Sequence, residues 1–227
     1  MVIEKKMSRR EFLEASAATG AILSMTPNIS LAHEAKPIQL SKPKIGSGNS
    51  LMQLLWKRMS SRQFSPEPLP VEVLSNLLWA GFGFNRPDGK RTAPSAMNCQ
   101  DIYIYGILSD GLYLYDAKAN QLKLILAEDL RGLAGTEPYV KEAPVNLIYV
   151  SDYAKMGDKI PNKLKILLSG SHAGFISENV YLYCASEGLA TVVRAHIDIP
   201  ALSKAMKLRP DQKIILAQSV GYPKKTS

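Results

Sequence analysis

Two arginines four residues apart with a hydroxyl between them, Arg58-x-Ser60-x-Arg62, followed by Phe64, are the first residues whose types and spacing suggest chemistry. A guanidinium is a planar fork that can donate two parallel hydrogen bonds to phosphate oxygens. Ser60 and its neighbour Ser61 add hydroxyl donors to that fork. Taken alone, the stretch is better described as the solvated C-terminal end of a helix, where cations meet the helix dipole favourably. A second candidate is RTAPSAMNCQ, residues 91–100. Pro94 stiffens a turn there, and Ser95 and Ala96 are small enough to let a backbone approach a flat ligand. Asn98 offers a donor and an acceptor, which suits the edge of a heterocycle with alternating N–H and C=O groups. Alone, this too reads as a loop entering a strand. A third segment, GSHAGFISENVYLYCASEGLA followed by TVVRA, says only core and interface.

Other chemistries find little support. Cys99 and Cys184 belong to no CxxC pair, so neither zinc ligation nor a disulfide framework is indicated, although a single bridge between them stays open. His33, His172 and His196 lack metal-ligand spacing and read as surface or satisfied buried histidines, so no metal site is expected. The net charge of +8 is spread along the chain, with +1 in residues 1–32 and +7 in 33–227. A nucleic-acid binder concentrates its basic residues on one element and carries a recognisable motif, and neither is visible.

The elements that must position these residues come from periodicity. The 227-residue chain is 46% hydrophobic, enough for one domain with a real core plus a short appendage. Residues 33–49 lack periodicity and read as a linker or arm. Ser50 can cap a helix carrying Leu51, Leu54, Leu55 and Met59. Pro70 opens a second helix with Val71, Leu74, Leu77 and Leu78, ending at Gly81. Residues 82–100 form a long irregular stretch of the kind that is often functional. Residues 101–108 alternate as a strand, GLYLYDA and QLKLILA form a hairpin, EDLRGLAG reads as a short helix, and the apolar run at 143–152 reads as a central strand. Residues 163–187 read as a helix apolar most of the way round, which must be buried in the domain or against a second subunit. A strand over 189–197, a short helix and a final strand complete the chain. Helices on an antiparallel-leaning sheet make this an α+β protein.

The N-terminus reads as an address. Residues 1–32 carry a charged region, a short weakly apolar region and a small-residue exit at Ser30-Leu31-Ala32, the layout of a signal peptide. The apolar part falls short of the ~20 residues a membrane span needs, so no stable span is expected once the signal is removed. Ser8-Arg9-Arg10-Glu11-Phe12-Leu13 resembles the twin-arginine export signal of bacteria, which implies a periplasmic or extracytoplasmic protein exported already folded, cleaved after Ala32.

In order and spacing, the three internal segments resemble the flavin-dependent nitroreductase family. Arg58, Ser60, Arg62 and Phe64 match its opening signature, and Pro94, Ser95, Ala96 and Asn98 its loop entering a strand. Ala185, Gly188 and Leu189 match the end of its central helix, and Gly221-Tyr222-Pro223 its closing motif. The resemblance covers residues 50–223 and implies an FMN protein with an α+β fold, a mostly antiparallel sheet flanked by helices, in an intertwined homodimer with the flavin at the interface. Residues 50–227 would be the FMN-binding domain. Carried over by position, Arg58, Ser60, Ser61 and Arg62 would hold the ribityl phosphate and nearby polar groups. Pro94, Ser95, Ala96 and Asn98 would line the ring and its pyrimidine edge. Backbone N–H groups of Val193, Arg194 and Ala195 would face flavin N5.

Two departures from the family pattern stand out. Gln100 is followed by Asp101 and Ile102 where an aromatic residue is common. The basic residue often found several positions beyond Gly-Tyr-Pro has only Lys224 or Lys225 as a stand-in. The resemblance implies an oxidoreductase in which flavin N5 carries the chemistry and no side-chain acid or base is required. It would pass a hydride, in ping-pong fashion, to a small nitro, quinone or enone-like acceptor. Familiar members take electrons from NAD(P)H, so export implies a different donor, such as a quinol or a redox partner. A non-catalytic flavin- or ligand-binding protein on the same scaffold is the alternative.

Overall fold

In the computed structural model, residues 50–225 are described. The signal-peptide layout, the arm and His33 lie outside them. The first helix, α1 (Leu51–Lys57), opens on a reciprocal capping box: Ser50 Oγ accepts from the Gln53 amide, and the Gln53 side chain accepts from the Ser50 amide. It ends at Arg58, after which the chain runs extended to an isolated bridge between Phe64 and Pro223. Helix α2 (Val71–Phe82) follows, with Pro70 as its N-cap and Leu74, Leu77, Leu78 and Phe82 buried. Residues 83–100 are irregular apart from one bridge, Phe84 to Arg91, and a single turn over Ala96–Asn98.

Six strands form one sheet in the order β3-β2-β1-β4-β6-β5, with every neighbouring pair antiparallel. They are β1 (Ile102–Leu108), β2 (Gly111–Asp116), β3 (Gln121–Leu126), β4 (Val145–Asp152), β5 (Ala190–Arg194) and β6 (Gln212–Gly221). The helix expected near residue 131 is a single turn, Arg131–Leu133. It leads into a short helix, α3 (Pro138–Glu142). The long helix is α4 (Asn162–Glu187), and α5 (Ile199–Ala205) precedes the last strand.

The expected α+β architecture is therefore present, with one feature that explains the apolar run of β4. An antiparallel sheet commonly leaves one face to water; here both faces are covered. Ile102, Ile104, Val145, Leu147 and Tyr149 pack with α2 and α4. Tyr105, Ile107, Ile148 and Val150 pack on the other face with Leu202 and Met206. Every residue of β4 is consequently buried, and its alternation is hidden in the composition. Strand β3, at the far edge, is by contrast mostly exposed.

Helix α4 divides its apolar residues between two destinations. Ala173, Ile176, Val180 and Cys184 are buried in the sheet-side core, while Leu164, Ile166, Leu167 and Phe175 stay exposed. Its buried flank also takes polar side chains: Lys165 donates to the Tyr153 carbonyl, and His172 and Ser177 are nearly inaccessible. The helix stops at Gly188, whose φ of 68° is the left-handed conformation that glycine adopts without a Cβ penalty. Among the described residues no helix is long and apolar enough to cross a membrane.

Candidate functional site

The arginine stretch lies along the open edge of β5. Ser61 donates its amide to the Thr191 carbonyl at 2.9 Å, Ser65 to Tyr222, and Lys224 donates back to the Gln63 carbonyl at 3.2 Å. Buried Phe64 anchors the segment against Ala143, Ala190 and Val192. The glycine of the closing motif is required by packing here. A Cβ at Gly221 would come within 2.5 Å of the Pro144 ring and 3.4 Å of Phe64.

Tyr181 of α4 ties this region together. Its hydroxyl accepts from the Val193 amide and bonds Ser60 Oγ, both at 2.9 Å, and the Arg58 guanidinium sits 5.2 Å over its ring. The structure thus brings Arg58, Ser60, Ser61, Arg62, Val193 and the Lys224 backbone to one place. The Val193 N–H is engaged by the phenol. Ala195, just past the strand, is exposed. Arg58 is half-buried and Arg62 exposed, and among the described residues neither has a carboxylate within ion-pair distance. Two arginines on one short segment, without acidic partners among the described residues and next to serine hydroxyls, fit a phosphate-bearing ligand such as FMN.

Arg194 points elsewhere. Its guanidinium crosses to the opposite face of the sheet, donating to Ser219 Oγ at 2.8 Å and to Ala134 O and Asn146 Oδ1, each at 2.9 Å. It is 8% exposed, and burial lowers its pKa from the ordinary arginine value. Among the described residues, its Nε and the Glu137 Oε2 are buried without a hydrogen-bond partner. Only the Arg194 backbone remains on the strand that borders the site. This side chain clamps the turn at Ala134 to the sheet.

The second region, Pro94 to Gln100, is a strained turn. Met97, Asn98 and Gln100 all have positive φ, of 53°, 51° and 46°. A left-handed conformation costs a non-glycine residue about 1–2 kcal/mol, so three of them persist only where the surroundings impose them. Those surroundings are visible. The Gln100 amide donates to Ser95 Oγ at 3.0 Å, and its side chain donates to Gly89 O and Asn98 Oδ1 while accepting from Arg91 Nε. Arg91 is itself flanked by the rings of Phe82 and Phe84, at 4.4 and 4.1 Å from its guanidinium carbon, and burial lowers its pKa. Pro94 and Asn98 are exposed, whereas Ser95 and Ala96 are half-buried.

Beneath this turn lies a group that motif reading did not single out. His172 Nε2 accepts the Ala96 amide at 2.8 Å, and His172 Nδ1 meets Asp101 Oδ1 at 2.6 Å. Asp101 Oδ2 accepts from Ser151 Oγ at 2.5 Å, and Cys99 Sγ donates to Oδ1 at 3.4 Å. Asp101 and Ser151 are fully buried and His172 is 2% exposed. The ligand-type atoms of Cys99, Asp101 and His172 lie within 4.8 Å of one another. Both imidazole nitrogens are already committed to hydrogen bonds, so the cluster is organised as a relay of hydrogen bonds and not as a ligand set. The sequence signal was there in one residue: Asp101 stands where the family pattern has an aromatic. Cys99 and Cys184 are both free thiols, and burial raises the Cys184 pKa well beyond the usual thiol range.

The two regions hang on one helix without meeting. His172 and Tyr181 are about two and a half turns apart on α4, which places them on opposite flanks and about 13 Å apart along the axis. Within a single chain, the arginine stretch and the Pro94–Asn98 turn therefore stand on different sides of α4.

Comparison with known proteins agrees with this architecture. The sequence profile of the Nitroreductase family matches residues 55–222. A protein of Methanocaldococcus jannaschii that carries a nitroreductase name is 29% identical over 152 residues, spanning 63% of this chain and 76% of that protein. A crystal structure of a protein from Ralstonia eutropha JMP134, also under a nitroreductase name, is similar with a TM-score of 0.75 and 42% identity, over 83% of this chain and 90% of that one. At 17% identity, a chain in the Escherichia coli microcin synthetase McbBCD complex shares the fold, with a TM-score of 0.64 over 92% of this chain and 87% of that chain. With most of its length matched by the family profile and the family's motif residues set around one sheet edge and one helix, the chain belongs to the nitroreductase family.

Proposed function

We propose that this protein is an FMN-dependent oxidoreductase that acts as a homodimer outside the cytoplasm. The carrying observation is the segment of Arg58 and Arg62, tied to the β5 edge by the Ser61 amide and to Tyr181 by Ser60, with no carboxylate partner for either arginine among the described residues. In this reading the two guanidinium groups and the Ser60 and Ser61 hydroxyls hold the ribityl phosphate, with Lys224 near by. Pro94, Ser95, Ala96 and Asn98 line the ring. When bound, FMN supplies two-electron hydride chemistry at N5. The chain's own part is to bind, orient and shield. With the Val193 N–H held by Tyr181, the backbone at exposed Ala195 is the part of this edge left for the ring, and the strained turn presents Asn98.

The separation of the two regions supports the homodimer. One flat ligand that meets both must take the arginine stretch from one copy and the turn from another. The exposed Leu164, Leu167 and Phe175 of α4 supply an apolar surface for that association. The twin-arginine-like start supports export after folding. Outside the cytoplasm NAD(P)H is scarce, so we assign the electrons to a quinol or a redox partner and the oxidising role to a small nitro, quinone or enone-like acceptor.

The test is the visible spectrum of the purified protein, which should show flavin bands, followed by stopped-flow reduction. A colourless protein that takes up no added FMN overturns the cofactor assignment. Rapid bleaching of the flavin by micromolar NADH or NADPH overturns the donor assignment.

A further inference from the structure

We propose that the Asp101–His172 pair is a positioning device for the ring side of the cofactor site. His172 Nε2 holds the Ala96 amide and so sets the left-handed turn that presents Asn98. The inference rests on the FMN reading above.

The hydrogen-bond logic leaves one arrangement. A backbone N–H can only donate, so the Nε2 that faces Ala96 at 2.8 Å must offer a lone pair. The proton of a neutral imidazole then sits on Nδ1, aimed at Asp101 Oδ1 at 2.6 Å. Asp101 cannot swing away, because Ser151 of β4 donates to its other oxygen and the Asp152 amide donates to its carbonyl at 2.9 Å. The carboxylate fixes the tautomer and the ring plane, as it does for histidines that ligate metals, but here the free nitrogen grips a backbone amide.

That amide opens the turn containing Met97 and Asn98, both left-handed. The far end of the turn is tied by Gln100 to Ser95 Oγ. With both ends held, the strained residues between them cannot relax. A pair serving only to fill the core would be replaceable by apolar groups at little cost, and would have no reason to direct its one free acceptor at an exposed turn.

The experiment titrates apo-protein with FMN and with riboflavin, following flavin fluorescence, in the wild type and three variants. His172→Phe keeps the ring volume and removes both nitrogens. We expect it to raise both dissociation constants by the same factor, tenfold or more, because the lost contact is on the ring side. Arg62→Ala should weaken FMN and leave riboflavin unchanged. His172→Gln, which can donate towards Asp101 and accept from Ala96, should recover part of the loss. Wild-type affinity for both flavins in His172→Phe overturns the proposal, even if that variant melts earlier. Should the variants fail to fold, the wild type decides: a through-hydrogen-bond ¹⁵N–¹⁵N coupling between the Ala96 amide and His172 Nε2 supports the strut, and its absence overturns it. A wild type that binds neither flavin defeats the FMN reading while leaving that coupling to judge the strut.

Discussion

The stretch from Arg58 to Phe64 hangs on the outer edge of β5 by backbone hydrogen bonds and leaves its charges in or near solvent. The turn from Pro94 to Gln100 carries no charge of its own, yet it is held by a buried imidazole, a buried carboxylate and three left-handed residues. One region is made of the right side chains on an ordinary backbone. The other is made of an unusual backbone under ordinary side chains. The first should therefore tolerate substitution in stability and lose ligand, whereas the second should lose stability and ligand together.

The sharpest break of that contrast is Asp101→Ala. It leaves the His172 Nδ1–H and the Ser151 hydroxyl buried without their acceptor, and should cost about 2–6 kcal/mol of folding free energy for the two unsatisfied donors, read from urea denaturation. A loss below about 1 kcal/mol would show that the cluster relaxes and that the turn is not under tension.

Next is Arg58→Ala combined with Arg62→Ala. Loss of two charge-assisted contacts should weaken FMN by about 3 kcal/mol or more, roughly a hundredfold, with the melting temperature nearly unchanged. Full flavin occupancy in equilibrium dialysis of the double variant would remove the phosphate role from this stretch.

Tyr181→Phe probes the link between the stretch and β5. It deletes the partner of Ser60 Oγ and of the Val193 amide, at an expected cost of about 1–2 kcal/mol. Amide exchange should accelerate at Val193 and Ser61 and stay unchanged at Ala96, because Ala96 answers to the other flank of α4.

The smallest effect belongs to Ser50→Ala. It removes one arm of the capping box for about 1 kcal/mol. Helix α1 has no buried residue, so the cost should appear as local fraying at Gln53 and Leu54 in hydrogen exchange, with global stability held.

How much of this was legible depended on the reach of each signal. The capping serine, the Pro70 start of α2 and the β2–β3 hairpin are local, and periodicity with turn chemistry located them; Gly188 at the end of α4 was marked only through the family resemblance. The apolar run of β4 was legible as a central strand. That it lies between antiparallel neighbours and is covered on both faces was not. Helix α4 looked apolar all round, but its composition could not say which flank meets the sheet. The structure sends Ile176 and Val180 inward and leaves Leu167 and Phe175 outside. Arg194 was grouped with the site through its backbone N–H alone, and where its guanidinium goes was not legible: the structure ties it to Ser219 and Asn146.

By itself, then, the sequence determined most of the elements, the α+β class and the arginine stretch, because those depend on side-chain type and short-range spacing; the short helix at Pro138–Glu142 was not among them. It also marked Asp101 as out of pattern without saying why. Tertiary structure alone decided that Asp101, just before β1, His172 of α4 and Ser151 of β4 meet beneath a left-handed turn. It decided as well that Tyr181 closes the gap between Ser60 and Val193. Such polar contacts join residues from 12 to 121 positions apart, and each is selected by desolvation: a group taken from water must find a partner in space, wherever along the chain that partner lies.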